Sequence, residues 1–176
     1  MARHVAPAVI ETPRMRGERI GPEHYALLLA LVGDPRVGAT LGGAQTPEEV
    51  TASIEQHVAR WERDGVGYWM FRARDTGEGV ARGGLSRTHV GGRDEVEVGW
   101  AVMPERWGHG YATELGAAAV DVAFGMLGLG SVVAYTLPDN LASRRVMRKL
   151  GFSYEREVVH AGLPHVLYRL HSPGSR

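Results

Sequence analysis

The chain contains no cysteine, which removes a disulfide framework, a thiolate metal site, a cysteine nucleophile and a thiol acyl carrier. Any thiol chemistry has to arrive on a ligand. Lysine is nearly absent as well: Lys149 is the single example among twenty basic residues, and a phosphate loop of the Gly-Lys-Ser/Thr type is excluded. Neither sign of charge is in excess, with twenty Lys plus Arg against twenty Asp plus Glu. No whole-protein field therefore draws the chain toward nucleic acid or an anionic membrane. Long apolar runs are missing too, since the longest, Ala26 to Val32, falls far short of the roughly 20 residues that cross a bilayer. Arg3, Arg14, Arg16 and Arg19 are interrupted by Glu11 and Glu18, with no apolar stretch after Arg3, unlike a secretory signal. The expected location is the cytoplasm.

What is present fits a globular protein: 176 residues, 44% hydrophobic and 23% charged. One domain over 1–176 is expected, with a core of about 12–170 and loose ends at 1–10 and 171–176. Gly21-Pro22 opens a helical pattern through Tyr25, Leu28, Leu29 and Val32 that Gly33 closes. Thr46-Pro47-Glu48-Glu49 combines an N-cap, a first-turn proline and a capping-box glutamate, and predicts a helix to about Arg63. The period then changes. Tyr68 to Ala73, Val80 to His89 and Glu95 to Met103 read as antiparallel strands, the last with Val96, Val98, Trp100 and Val102 on one face and Glu95, Glu97, Gly99 and Ala101 on the other. A helix follows through Tyr111, Leu115, Ala119, Val122 and Met126. Ser131 to Leu137 is strand-like, Asn140 to Lys149 helical, and Phe152 to Val159 and Val166 to Leu170 are strands around a turn near Gly162-Leu163-Pro164.

Between a strand and a helix stands Trp107-Gly108-His109-Gly110-Tyr111-Ala112-Thr113. Small residues there let backbone N–H groups at a helix N-terminus converge on a phosphate or pyrophosphate. A tight turn needs the same glycines, so both explanations stand. The dinucleotide-binding version fails, because Thr113 occupies the third glycine position and the preceding strand is antiparallel. Gly84-Leu85-Ser86-Arg87-Thr88 nearly matches a nucleophile elbow but ends in Thr88 within a hairpin strand. His160 and His165 flank a turn with no third ligand at useful spacing, so they read as surface residues and no metal is expected. Trp61, Trp69, Trp100 and Trp107 suit either core packing or the wall of a pocket.

Taken in order, the strand Glu97-Val98-Gly99-Trp100, the glycine turn with Glu114, and Asn140-Leu141-Ala142-Ser143 running to Leu150-Gly151-Phe152 resemble the GNAT superfamily of acyl-CoA N-acyltransferases. More narrowly, the stretch resembles its ribosomal-protein N-terminal acetyltransferase (RimJ/RimL-like) branch, and the resemblance extends from Thr12-Pro13-Arg14-Met15 to Leu170. The resemblance implies an α/β (α+β) fold: a mixed, mostly antiparallel, strongly twisted sheet of six to seven strands with about four helices. The parallel strands Glu95 to Met103 and Ser131 to Leu137 would splay apart to admit the acetyl-CoA thioester. It further implies that Gly108, His109, Gly110, Tyr111 and Ala112 cradle the pyrophosphate, with Trp107 where relatives carry Gln or Arg. Val102 and Met103 would pair with the pantetheine arm, which Asn140 would also touch; an ordinary N-cap explains Asn140 equally.

Acetyl transfer to an amine needs a neutral amine, a donor for the developing oxyanion and a proton source for the thiolate. Glu97 is the expected base, with Glu95 beside it on the same face and their mutual repulsion raising one pKa. A backbone N–H near Trp100 to Val102 would serve the oxyanion. Met147 occupies the position where many relatives carry a tyrosine acid, so Ser143 is the expected substitute. The favoured acceptor is a peptide or protein α-amine. A small amine, amino acid or aminoglycoside, and a non-catalytic acyl-CoA-binding regulatory module, remain alternatives, and a homodimer stays open.

Overall fold

A computed structural model describes residues 5–174. Its scaffold is an eight-stranded sheet in the order β1-β2-β3-β4-β5-β6-β8-β7. The strands are β1 (Val9–Glu11), β2 (Met15–Arg19), β3 (Tyr68–Ala73), β4 (Gly79–Val90), β5 (Arg93–Val102), β6 (Ser131–Thr136), β7 (Ser153–His160) and β8 (Leu163–His171). The helices are α1 (Tyr25–Val32), α2 (Pro35–Gly38), α3 (Pro47–Asp64), α4 (Tyr111–Asp121) and α5 (Leu141–Lys149).

Strands and helices both exceed the expected numbers, for local reasons. β1 and β2 are too short to show alternation, yet they extend the sheet by pairing Ile10 with Gly17 and Gly17 with Phe71. Val9 and Ile10, expected to be loose, are therefore paired, and His171 still pairs with Ser131 at the other end. α2 is a single turn capped by Asp34, whose carboxylate accepts from the Arg36 amide at 2.8 Å. The last hairpin turns at Ala161 and Gly162, both at positive φ, which leaves Leu163 and Pro164 inside β8. After α4 the chain takes a wider, π-helical turn over Val122–Met126. That extra residue shifts the helical phase, so Met126 is exposed instead of continuing the apolar face.

The capping box of α3 forms as its sequence dictates: Thr46 Oγ1 accepts from the Glu49 amide, and Glu49 accepts from the Thr46 amide at 2.8 Å. Val50 and Ile54 then join Leu28, Leu31, Met70 and Ala101 in the core on one sheet face. α4 and α5 cover the other face, where Leu115, Ala119 and Met147 pack with Trp69, Phe71, Leu85 and Val98.

Every neighbouring pair of strands is antiparallel except β5 and β6, which are parallel and share one register pair, Glu97 with Val133. β5 stays hydrogen-bonded to β4 as far as Val102, while β6 follows β8 to the Thr136–Val166 pair. The two strands therefore part beyond Glu97. That opening is where the chemistry has room.

Candidate active site

The glycine turn sits at the mouth of this opening. Gly108 and Gly110 lie at φ of 76° and 82°, a region that side chains with a Cβ rarely enter. Gly110 is the N-cap of α4 and supplies no side-chain cap, so the first N–H groups of the helix remain available to an anion. The turn is fixed from outside by a distant residue pair. Glu114 accepts from Thr12 Oγ1 at 2.6 Å, from the Arg14 amide at 2.9 Å and from Arg14 Nε at 2.6 Å. Arg14 also donates to the His109 carbonyl at 2.9 Å and stacks over the Tyr111 ring at 4.1 Å. The Glu114→Ala variant leaves these donors unmatched and should lower stability by about 1–3 kcal/mol. Thermal unfolding measures that loss.

From the turn, a cavity of about 620 Å³ runs along β5 between α4 and α5. Val102, Trp107, Gly108, Gly110, Tyr111, Ala112 and Asn140 line it, together with the cations Arg145 and Lys149 of α5. A second cavity of about 310 Å³ lies on the other side of the opening, lined by Tyr68, Arg82, Glu97, Tyr135, His160 and His165. The two meet at four residues common to both walls: Thr40, Trp100, Asn140 and Ser143. Of the tryptophans, Trp61 and Trp69 are core, whereas Trp100 and Trp107 belong to the walls.

Glu97 stands in the smaller cavity and accepts a hydrogen bond from the Tyr135 hydroxyl at 3.3 Å. Burial pushes its carboxyl up to about 7, against the opposing pull of Tyr135, Arg82 and Arg60. The expected repulsion from Glu95 is not the cause. Glu95, expected as its catalytic neighbour, is held by Arg169 through two hydrogen bonds of 2.7 and 3.0 Å and lines neither cavity. Tyr135 escaped the sequence because nothing local marks it; it faces Glu97 through the β5–β6 register, two residues beyond Val133. His160 and His165 are likewise wall residues instead of surface ones. Their rings lie 4.8 and 5.7 Å from that of Tyr135, and burial followed by His165 pulls His160 below the usual histidine value. No cluster among the described residues could hold a metal ion.

Asn140 caps α5: its Oδ1 accepts from the Ser143 amide at 3.2 Å, and its Nδ2 donates to Thr136 Oγ1 and Ser143 Oγ. Both amide hydrogens are occupied, so the N-cap alternative is realised and a polar contact to pantetheine would fall to the Oδ1 acceptor. The same arrangement leaves the Ser143 hydroxyl proton directed away from Asn140, on a residue that both cavities share. Met147 is buried beneath it. The Met103 backbone, expected to pair with pantetheine, is engaged within the protein: its amide donates to Val80 and its carbonyl accepts from Arg106. Strand alternation then turns the N–H and C=O of Trp100 and Val102 toward the opening. The Val102 carbonyl already accepts from Trp107 Nε1 at 2.8 Å, which fixes the indole as one wall of the larger cavity. His109 contributes its backbone to the turn but no side-chain lining.

A family model described as "Acetyltransferase (GNAT) domain" matches residues 14–153. The FsC-acetyl coenzyme A-N(2)-transacetylase of Aspergillus fumigatus is 30% identical over 167 residues, 85% of this chain and 66% of its own. Among solved structures, ribosomal-protein-S5-alanine acetyltransferase from Vibrio fischeri superposes with a TM-score of 0.76 at 18% identity, covering 97% of this chain and 100% of its own. RimJ of Mycobacterium smegmatis, in complex with CoA-disulfide, gives 0.76 at 20% identity, with 98% and 90% covered. These structures share the fold. With the family model spanning most of the sequence, the chain belongs to the GNAT acetyltransferase family.

Proposed function

We propose that the protein transfers acetyl from acetyl-CoA to the α-amino group of a peptide or protein N-terminus, by direct attack of the amine on the thioester. The observation that carries this proposal is the meeting of the two cavities at Trp100, Asn140 and Ser143, with Glu97 on the acceptor side. The larger cavity suits the cofactor: helix N–H groups behind Gly108 and Gly110 for the pyrophosphate, Arg145 and Lys149 for phosphate charge, and the Trp100 and Val102 backbone for the pantetheine amides.

Glu97 takes the proton of the incoming amine. A carboxylate at about 7 is matched to an α-amine of about 7.7–8.0, whose deprotonation at pH 7 costs only about 1 kcal/mol, whereas a lysine amine would cost about 4.6 kcal/mol. The α-amine is therefore favoured over a side-chain amine. A backbone N–H of the parted end of β5 faces the thioester oxygen. Ser143 then donates its hydroxyl proton to the departing thiolate and regains one from solvent, while Glu97 releases the amine's proton to solvent.

Thermal unfolding with acetyl-CoA, and NAD as the matched pyrophosphate control, tests the cofactor assignment. At ligand near a hundred times its dissociation constant, binding adds about 2.7 kcal/mol, which raises the midpoint by roughly 5–11 °C for a domain of this length. NAD should give no shift. An absent acetyl-CoA shift would reduce the glycine turn to a turn and remove the proposal.

A further inference from the structure

The acceptor cavity contains a cation with nothing to bind. Arg82 lines it, yet among the described residues its guanidinium makes no hydrogen bond or ion pair, and Nε is sealed from solvent without a partner. Its one contact of note is the Tyr68 ring, whose centroid lies 5.3 Å from the guanidinium carbon. Buried arginine donors are ordinarily satisfied. Tyr68 and Glu97 favour the Arg82 charge through space, but neither is hydrogen-bonded or ion-paired to it. Arg60 of α3 adds a second positive charge acting on Arg82, and His57, buried against Tyr68, is held neutral by burial and by both arginines. Glu97 is the acidic group facing this part of the cavity, and its carboxylate is engaged by Tyr135.

Register places the two groups on one face of the sheet, and both line the same cavity. Arg82 stands opposite Ala101 and Glu97 opposite Ser86 on the same face of β4 and β5, with the side-chain-free pair Gly84 and Gly99 between them. The Tyr68 ring lies over that pair, as a Cβ at Gly99 would fall 1.9 Å from its hydroxyl oxygen. The geometry points to Arg82 as the seat of a carboxylate carried by the acceptor, with the acceptor amine directed to Glu97; this assignment rests on the acetyltransferase reading of the cavity. With Nε sealed, the two Nη–H groups are left as the fork that two carboxylate oxygens match and a neutral amide does not. The same positive charge disfavours a protonated amine nearby and helps present the neutral nucleophile. The carboxylate can come from the α-carboxylate of a free amino acid or from an acidic first residue of a peptide.

Two matched pairs distinguish these sources: alanine against alaninamide, and a peptide amide beginning with aspartate against one beginning with asparagine. Each amine is followed by release of the CoA thiol from acetyl-CoA. Each N-acetylated counterpart is titrated calorimetrically onto the CoA-loaded protein. The acidic member of at least one pair should exceed its neutral partner by about tenfold to a hundredfold in kcat/KM and in affinity. Arg82→Gln should erase that ratio, and Arg82→Lys, which keeps the charge but loses the fork, should retain only part of it. Ratios near one in both pairs, or a preference that survives in Arg82→Gln, would overturn the assignment. Should Arg82→Gln fail to fold, the wild-type ratios and Arg82→Lys still decide. Turnover absent from every amine, with acid-selective binding intact, would instead overturn the acetyltransferase reading and leave the anion seat standing.

Discussion

Glu97→Gln should lose about a hundredfold in kcat/KM, toward the low end of the range for removing a general base, because an α-amine needs only modest help. Its signature is in the pH profile. In the wild type, activity should fall as pH drops through about 7, where the partly buried carboxylate takes up its proton. In the variant that limb should move toward the pKa of the amine itself, near about 8. The same substitution should stabilise the fold. The Glu97 carboxyl is raised from 4.5 to about 7, so between those values the native state binds a proton that the unfolded chain has released. Stability therefore declines as pH rises through that window, and the full cost of the buried charge is present above about 7. Glutamine removes that cost, a gain of up to about 3 kcal/mol at pH 8 that vanishes below about pH 4. Rate profiles and thermal unfolding at both pH values check the two halves together. Glu95→Gln should instead lower stability by breaking the Arg169 pair while leaving the acidic limb in place. Unchanged kinetics in Glu97→Gln would remove the base assignment.

Gly99→Ala should damage stability and activity together. A methyl group there would meet the Tyr68 hydroxyl oxygen at 1.9 Å and the ring carbon bearing it at 2.9 Å. Tyr68 is buried, and the His57 ring beside it, with centroids 5.4 Å apart, blocks one direction of retreat. The ring must move into the acceptor cavity or the strand must shift, either of which costs about 1–3 kcal/mol. Tyr68→Phe removes the nearest atom but leaves the ring carbon too close. The double variant should therefore recover part of the lost stability, with a coupling of about 1 kcal/mol in a double-mutant cycle. Strictly additive losses would show that the two residues do not meet.

The regular elements were legible because their causes are local. The Thr46 to Glu49 capping box, the alternation of β5 and the amphipathic face of α4 each specify their own structure within a few residues. β1 and β2 were not legible, since three and five residues carry no measurable period and depend on pairing with β3. The glycine turn could be located from Gly108 and Gly110, but the clamp that fixes it joins Arg14 to Glu114, a hundred residues apart. The pairing of Met103 was not legible for a related reason: which strand edge faces the opening depends on the β4 register, through the Met103 amide and the Val80 carbonyl.

The two carboxylates of β5 mark the division most sharply. The sequence by itself determined that Glu95 and Glu97 share one face of a strand entering a glycine turn, because side-chain direction along a strand follows from spacing alone. It could not rank them. Tertiary structure ranked them by bringing Arg169, 74 residues further along the chain, to Glu95, and by burying Glu97 beside Tyr135. Desolvation and ion pairing depend on what folds against a residue, and they place one of two similar glutamates in an ion pair and leave the other in the cavity with a raised pKa.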